Sequence, residues 1–485
     1  MYFEQTKNKI FFANSNKLSE WTNENIEQGK IVDKIKLMLK NYLELDNVSF
    51  LFGSGTSIHL GAVSIRNFPY EVETYIVEKN KEKDFEGIYD EFESTVKILQ
   101  SDFLTFGKAN LLEGSDDTFK NDKGWEFYIE DDFVRDGISG EIVLEYEFLL
   151  NYLIAKDFVL DKDRSQERVD KCSKLIITIK EGLFNVCNLE KRKVSQTIID
   201  RKKASKFEKE QEQGNLLATK NKYIFHEKFI KALLQRPLNL RRANIFTSNY
   251  DLAFEYAFDK LGVHYIDGFA GFHKRLFKPE TFEYDIFYPG STTSGKVQRI
   301  EKVVRYFKLH GSLSWVNSDA RDANNLYGIE EKSLEIIESL KEKGEIIIYP
   351  SAVKKSYTLD LPYSELFRQF ASTIKQSQSV LITVGYSFGD DHFNDIIYQA
   401  LSNPTFTLIV VDYQGTQNEY INNLKELNDP RIIILEGEFF GDFLTFSDTL
   451  MPNFNNVDNN EKVANTLNEL FSSKVNQQES SKNTE

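Results

Sequence analysis

The hydrophobic and polar positions of this chain fall into three successive regimes. The opening reads as a short extended segment and then an amphipathic helix over Asn25–Glu44. There Val32, Ile35, Met38, Leu39, Tyr42 and Leu43 recur at helical spacing. Val48-Ser-Phe-Leu-Phe52 follows, a β-rich apolar run that ends in glycine, as a buried parallel strand does when it delivers a tight turn. From about Lys81 to Arg236 the pattern changes. Charged and apolar segments alternate, as in Glu141–Leu160 and Asp170–Leu189, and no proline occurs between Pro69 and Pro237. Helical periodicity dominates there and predicts a mostly α-helical region. Within it, Glu190–Asn215 is very polar and carries Arg201, Lys202, Lys203 and Lys206, which read as a solvated helix or mobile loop ahead of a partner-docking patch.

From Asn239 onward, short apolar runs alternate with helical patterns. Expected strands are Ala243–Thr247, Val303–Lys308, Glu345–Tyr349, Val380–Val384, Thr405–Val411 and Arg431–Leu435. Helical patterns at Asp251–Leu261 and Tyr363–Gln376 lie between them. This alternation is the signature of a parallel sheet covered on both faces, and Val48–Phe52 belongs to the same set. The expectation is an α/β fold, a Rossmann-like parallel sheet with helices on both faces, interrupted after its first strand by a large, mostly α-helical insertion. The corresponding division is an N-terminal extension with its helix (1–45), the α/β domain (46–80 and 237–450) and the helical insertion (81–236). A C-terminal helix and disordered tail (451–485) complete it.

Composition narrows the function classes. The 485 residues include 41% hydrophobic and 13% aromatic positions, ample for a packed core, so global disorder is excluded. The net charge of −15 argues against broad nucleic-acid or anionic-membrane binding. With two cysteines, Cys172 and Cys187, neither a four-cysteine zinc module nor a disulfide scaffold can form. The N-terminus lacks the pattern of a secretory signal, and no apolar stretch is long enough to span a bilayer. A cytoplasmic protein is expected.

Four motifs sit where these strands end. The first strand runs into Gly53-Ser54-Gly55-Thr56-Ser57, with a helix expected near Ile58. Such a turn lets the backbone approach a diphosphate, although the third glycine, Gly61, is too distant for the dinucleotide fingerprint. Thr247-Ser-Asn249-Tyr-Asp251 stands at the next strand-to-helix junction, where open α/β sheets bind ligands. Helix capping alone would account for Asp251 or Asn249, but not for both together with Thr247. Phe307-Lys308-Leu309-His310-Gly311-Ser312 places a histidine at a third strand end, where imidazole can accept a proton at neutral pH. Gly385-Tyr-Ser387-Phe-Gly389-Asp390-Asp391-His392-Phe-Asn394 follows a fourth, and its Asp391 and His392 lack enough neighbouring ligands for a metal site.

The glycine turn, Thr-x-Asn-x-Asp, Lys-Leu-His-Gly-Ser and Gly-Tyr-Ser-Phe-Gly-Asp-Asp, in this order, resemble the sirtuin-like family. More narrowly, they resemble its bacterial branch of antiphage NAD-hydrolysing effectors. The resemblance covers about residues 46–70 and 240–445, and the segment from Ile348-Tyr-Pro350 through Lys354 to Pro362-Tyr363 looks typical of that branch. It implies that Gly53, Ser54, Gly55, Thr56 and Ser57 cradle the diphosphate of NAD+. Asn249 and Asp251 would line the nicotinamide–ribose pocket, and Thr247 and Gly311 would also contact the cofactor. His310 would be the catalytic base, with Asn249 as its catalytic companion. Gly385 and Ser387 would contact the adenosine side, and Asp412 the adenine ribose. Two departures put protein deacylation in doubt: the missing zinc module, and Ile65-Arg-Asn-Phe-Pro69 where deacylating sirtuins carry Pro-Asp-Phe-Arg.

The activity so implied is conversion of NAD+ to nicotinamide and ADP-ribose, without a metal. A non-catalytic sensor of NAD or ADP-ribose and an ADP-ribosyl transferase remain open beside it. A constitutive NADase would poison its own cell, so an abortive-infection effector needs a switch. About 40 residues follow Phe446, too few for an independent sensor domain, so the trigger is expected in trans or through assembly. The resemblance points to a separately encoded HerA-type hexameric ATPase, then to a short Argonaute, and a homo-oligomer fits either.

Overall fold

Strands that are apolar along most of their length need cover on both faces, and here they receive it. The computed structural model describes residues 2–63, 68–106, 146–162, 166–192, 221–288, 298–318, 325–339 and 362–452. The expected strand at Glu345–Tyr349, the Ile348–Lys354 stretch, Ile65–Asn67, the basic cluster Arg201–Lys206 and the tail from 453 lie outside them. Strands β3 (Asn47–Phe52), β4 (Asn244–Thr247), β5 (His264–Ile266), β8 (Val303–Lys308), β11 (Ser379–Val384), β12 (Thr407–Asp412) and β13 (Ile432–Glu436) are mutually parallel. With β1 (Asn8–Phe12) and β2 (Ser15–Asn16) they form one sheet in the order β2-β1-β13-β12-β11-β3-β4-β8-β5.

Side chains alternate across this sheet. Phe50, Phe52, Ile245, Val380, Ile382, Val384, Ile409 and Val411 enter one core, beneath the helices Gln28–Leu43, Ile224–Leu233 and Ala253–Leu261. Leu51, Phe246, Leu381, Leu408 and Val410 enter the other, beneath Tyr363–Ile374, Asp391–Leu401 and Glu419–Glu426. The period of two thus serves both faces. The chain leaves β3 for β4 on one side and later places β11 on the other. The strand order therefore reverses between β3 and β11, and a crevice opens at their carboxyl ends.

Between β3 and β4 the described residues hold helices and no strand. Phe68–Asn80, Ile88–Phe106, Tyr146–Lys162 and Gln166–Cys187 share a core of their own, including Val72, Ile76, Phe92, Val96, Leu149, Leu153, Leu175, Ile179 and Leu183. Cys172 lies in it and burial pushes its thiol up to about 11; burial pushes the Cys187 thiol up to about 12. Both cysteines are free thiols. The end of Gln166–Cys187 reaches the α/β body, where Phe184 packs with Leu313, Val316 and Ile337 and with the flank of Tyr250.

Three features depart from the periodic reading. The extended opening is a strand whose partner lies at the other end of the chain: β1 pairs antiparallel with β13, Ile10 opposite Leu435. A second, antiparallel sheet in the order β6-β7-β10-β9 is built from Phe269–Ala270, Arg275–Phe277, Ile329–Glu331 and Trp315–Asn317. Strands of two or three residues carry no periodic signal to read. Lastly, the segment after the glycine turn forms two short 3-10 turns, Ser54–Thr56 and Ile58–Leu60, rather than a helix starting at Ile58. Gly61, at φ 91°, ends the second, and Ala62 N–H folds back onto the Ser57 carbonyl. Among the described residues no helix is long and apolar enough to cross a membrane.

Candidate active site

The crevice between β3 and β11 is formed by backbone packed on backbone. A Cβ on Gly53 would lie 2.5 Å from the Gly385 carbonyl oxygen, and one on Gly385 would lie 2.8 Å from Gly55 Cα. Gly385 also holds φ at 60°, a conformation that L side chains rarely adopt. The amides of the turn are largely engaged within it. Gly53 donates to Val384, Gly55 to Gly385, Thr56 to Gly53 and Ser57 to Ser54. Ser54 is exposed at the crevice, whereas Thr56 and Ser57 are buried. Behind the turn, His59 stacks on His226 among the rings of Phe225, Phe254 and Phe443, and burial pushes His226 well below its ordinary value.

The loop after β4 is tied to this turn. Thr247 is fully buried; its hydroxyl donates to the Phe52 carbonyl and accepts the Asn249 N–H. Asn249, half-buried, donates from Nδ2 to the Gly53 carbonyl (3.1 Å), Thr56 Oγ1 (3.2 Å) and Ser57 Oγ (3.3 Å). Those acceptors fix the orientation of the amide, with its NH2 toward the turn. Asp251 is buried, accepts Ser57 Oγ at 2.8 Å and accepts the N–H of Ala253, the first residue of the following helix, although Leu252 holds the N-cap position. It joins two loops.

β8 supplies the clamp that holds these loops. Lys308 is buried at the strand end and donates to the Tyr250 carbonyl, the Asp251 carbonyl and Glu255 Oε1. Burial pushes the Glu255 carboxyl up while Lys308 pulls it back, and Tyr306 donates to its other oxygen at 3.0 Å. Lys308 and Glu255 gained no role from sequence reading. The signal was present in a lysine closing an apolar strand and a glutamate among Ala253, Phe254, Ala257 and Phe258, since buried charges are paired.

The register pairs Thr247 with Lys308. Asn249 and His310 each stand two residues past these paired ends of neighbouring strands. His310 is buried, its ring stacked 5.0 Å from Phe393 and 6.2 Å from Tyr250. Its Nε2 lies 3.0 Å from Asp390 Oδ2. Gly311 turns the chain at φ 90°, and Leu313 N–H donates back to the Tyr250 carbonyl at 3.0 Å. The loop after β11 is braced in turn by Asn394, whose Nδ2 donates to the Phe388 carbonyl at 2.7 Å. Ser387 and Gly389 are exposed on its rim.

Residues 243–432 match the SIR2-like domain. No curated protein matches the chain. SIR2-like domains are NAD-utilising enzymes, and the crevice lies where a parallel α/β sheet receives a dinucleotide. The matched stretch begins just before β4 and ends at the first residue of β13. The glycine turn at Gly53–Ser57 lies outside it in sequence, and the sheet inserts β3 between β4 and β11.

Asp412 stands apart from these loops. It ends β12, two strands from β3, and one oxygen accepts the N–H groups of Gln414 and Gly415. Burial pushes its carboxyl up. Its register partner Glu436 accepts from Thr416 and pairs with Lys9. Among the described residues, no three His, Cys, Asp or Glu side chains cluster to hold a metal ion.

Proposed function

We propose that this SIR2-like chain hydrolyses NAD+ to nicotinamide and ADP-ribose. The observation that carries the reading is that Asn249 and His310 each stand two residues past the paired ends of adjacent strands, beside the glycine turn. Nicotinamide in NAD+ is a cationic leaving group, so its departure needs little acid catalysis. The C1′–N bond breaks with its electron pair going to nicotinamide, and positive charge develops at C1′, as in glycoside hydrolysis. Water adds to that carbon. Asn249, its amide anchored to the turn, orients the water or the ribose through Oδ1. His310 takes the proton from the water or from a ribose hydroxyl. Exposed Ser54 lets the diphosphate approach the glycine turn, while Ser387, exposed on the rim of the loop after β11, extends the cleft toward the adenosine side.

The test is NAD+ consumption by the purified full chain, with labelled NAD+ and both products quantified. His310→Ala should lose roughly 10²–10⁴-fold in turnover, the usual contribution of a positioned acid–base group, and Asn249→Ala should lose turnover as well. Parent-like turnover in both variants overturns the reading. Label retained on a macromolecule indicates ADP-ribosyl transfer, and NAD+ bound but never cleaved indicates a sensor.

The resemblance of the four motifs to antiphage effectors supports a toxic role in abortive infection, switched by a partner or by assembly. A HerA-type hexameric ATPase is the first partner to test and a short Argonaute the second. If the purified chain is silent, the assay is repeated with each partner and in phage-infected cells.

A further inference from the structure

We propose that Asp390 is the positioning residue of this site: its carboxylate keeps the proton of His310 on Nε2 and so presents the lone pair of Nδ1 as the base. The inference rests on the reading of His310 as the base and names what orients it. Asp390 Oδ2 and His310 Nε2 lie 3.0 Å apart with side chains 7% and 9% exposed. At that distance the carboxylate acts on the imidazole by its charge. In so dry a place an N–H beside a carboxylate is strongly favoured over a lone pair there. The carboxylate is itself held. Its other oxygen accepts the His392 N–H at 3.0 Å as the N-cap of Asp391–Leu401, and Tyr386 donates to the Asp390 carbonyl. The imidazole is limited by the rings of Phe393 and Tyr250.

With Nε2 protonated, Nδ1 accepts the proton of the attacking water or ribose hydroxyl, and Asp390 stabilises the resulting imidazolium. Asp390→Asn tests this with little structural change, because asparagine caps a helix as well as aspartate does. Its amide oxygen keeps the His392 N–H and its NH2 then faces Nε2. That donor demands a lone pair on Nε2 and drives the proton to Nδ1, the wrong tautomer. The same substitution beside a catalytic histidine in serine proteases shows how large the consequence becomes.

The experiment pairs kinetics with ¹⁵N-histidine spectra of the full chain, the His310 signal being identified by its loss in His310→Gln. The parent should show the Nε2–H tautomer and Asp390→Asn the Nδ1–H tautomer. In the same variant kcat should fall roughly 10²–10⁴-fold with KM for NAD+ nearly unchanged. Asp391→Asn, an exposed neighbour, should match the parent in both measurements. An Nδ1–H tautomer in the parent, or an unchanged tautomer in Asp390→Asn, overturns the proposal, and the spectra decide this without turnover. Parent-like turnover in Asp390→Asn while His310→Ala is dead reduces Asp390 to a helix cap. Turnover surviving in His310→Ala instead overturns the base itself. Should Asp390→Asn melt early, Asp390→Ser keeps a capping oxygen without the carboxylate, and it should lose the Nε2–H preference.

Discussion

Replacing Gly385 by alanine tests whether the crevice depends on two backbones in contact. At φ 60° an L residue is strained by about 1–2 kcal/mol. The new Cβ would also stand 2.8 Å from Gly55 Cα and 2.9 Å from both Gly55 C and Thr56 N. These are main-chain atoms that a rotamer change cannot clear, and overpacking of this kind costs about 1–3 kcal/mol. Together the two effects predict a loss of about 2–5 kcal/mol. For an α/β unit of this order of size that lowers Tm by at least about 4 °C. Gly389→Ala is the control within the same loop, since its Cβ would meet only Ser387 Oγ, at 3.6 Å. Thermal unfolding and NAD+ binding should both suffer in Gly385→Ala and hold in Gly389→Ala. Equal melting of Gly385→Ala and the parent, or an equal drop in both variants, would refute the argument from close approach.

Two further predictions concern buried charge. Lys308→Met should destabilise by about 3–5 kcal/mol, because it strands Glu255 in the core and releases the Tyr250 and Asp251 carbonyls. Adding Glu255→Gln should recover part of the stability but not the NAD+ turnover, as read by thermal melts beside activity. Glu331 and Asp267 share Arg275; burial, reinforced by the charge of Asp267, pushes the Glu331 carboxyl up to about 7, and burial likewise pushes Asp267 up to about 6. A carboxyl that holds its proton more tightly when folded stabilises at low pH and loses that contribution as pH rises from the unfolded toward the folded value. Relative to the parent, the Tm of Glu331→Gln should therefore gain between about pH 5 and pH 7 and level off above. A constant gap would refute the linkage.

Strand and helix identity was legible where residues repeat over several periods. Val303–Lys308 appears with the expected limits, and β3, β4, β11, β12 and β13 shift by two residues or fewer at either end. The match of residues 243–432 to the SIR2-like domain was foreshadowed as well, because the motifs that carry the resemblance are contiguous and stand at strand ends. Short strands such as Phe269–Ala270 were not, since two residues have no period. Nor was the pairing of β1 with β13, which joins opposite ends of the chain.

What the sequence alone determined was therefore local: which runs become buried strands, which turns need glycine, and which side chains stand ready for proton transfer. Tertiary structure decided who meets whom. Strand order brings Gly53 and Gly55 against Gly385, register pairs the strand ends that Asn249 and His310 follow, and the cap of a later helix delivers Asp390 to the imidazole. Lys308 finds Glu255 and two carbonyls only after the sheet and its covering helix pack. These relations depend on distances between residues far apart in the chain, and hydrophobic periodicity carries no information about such distances.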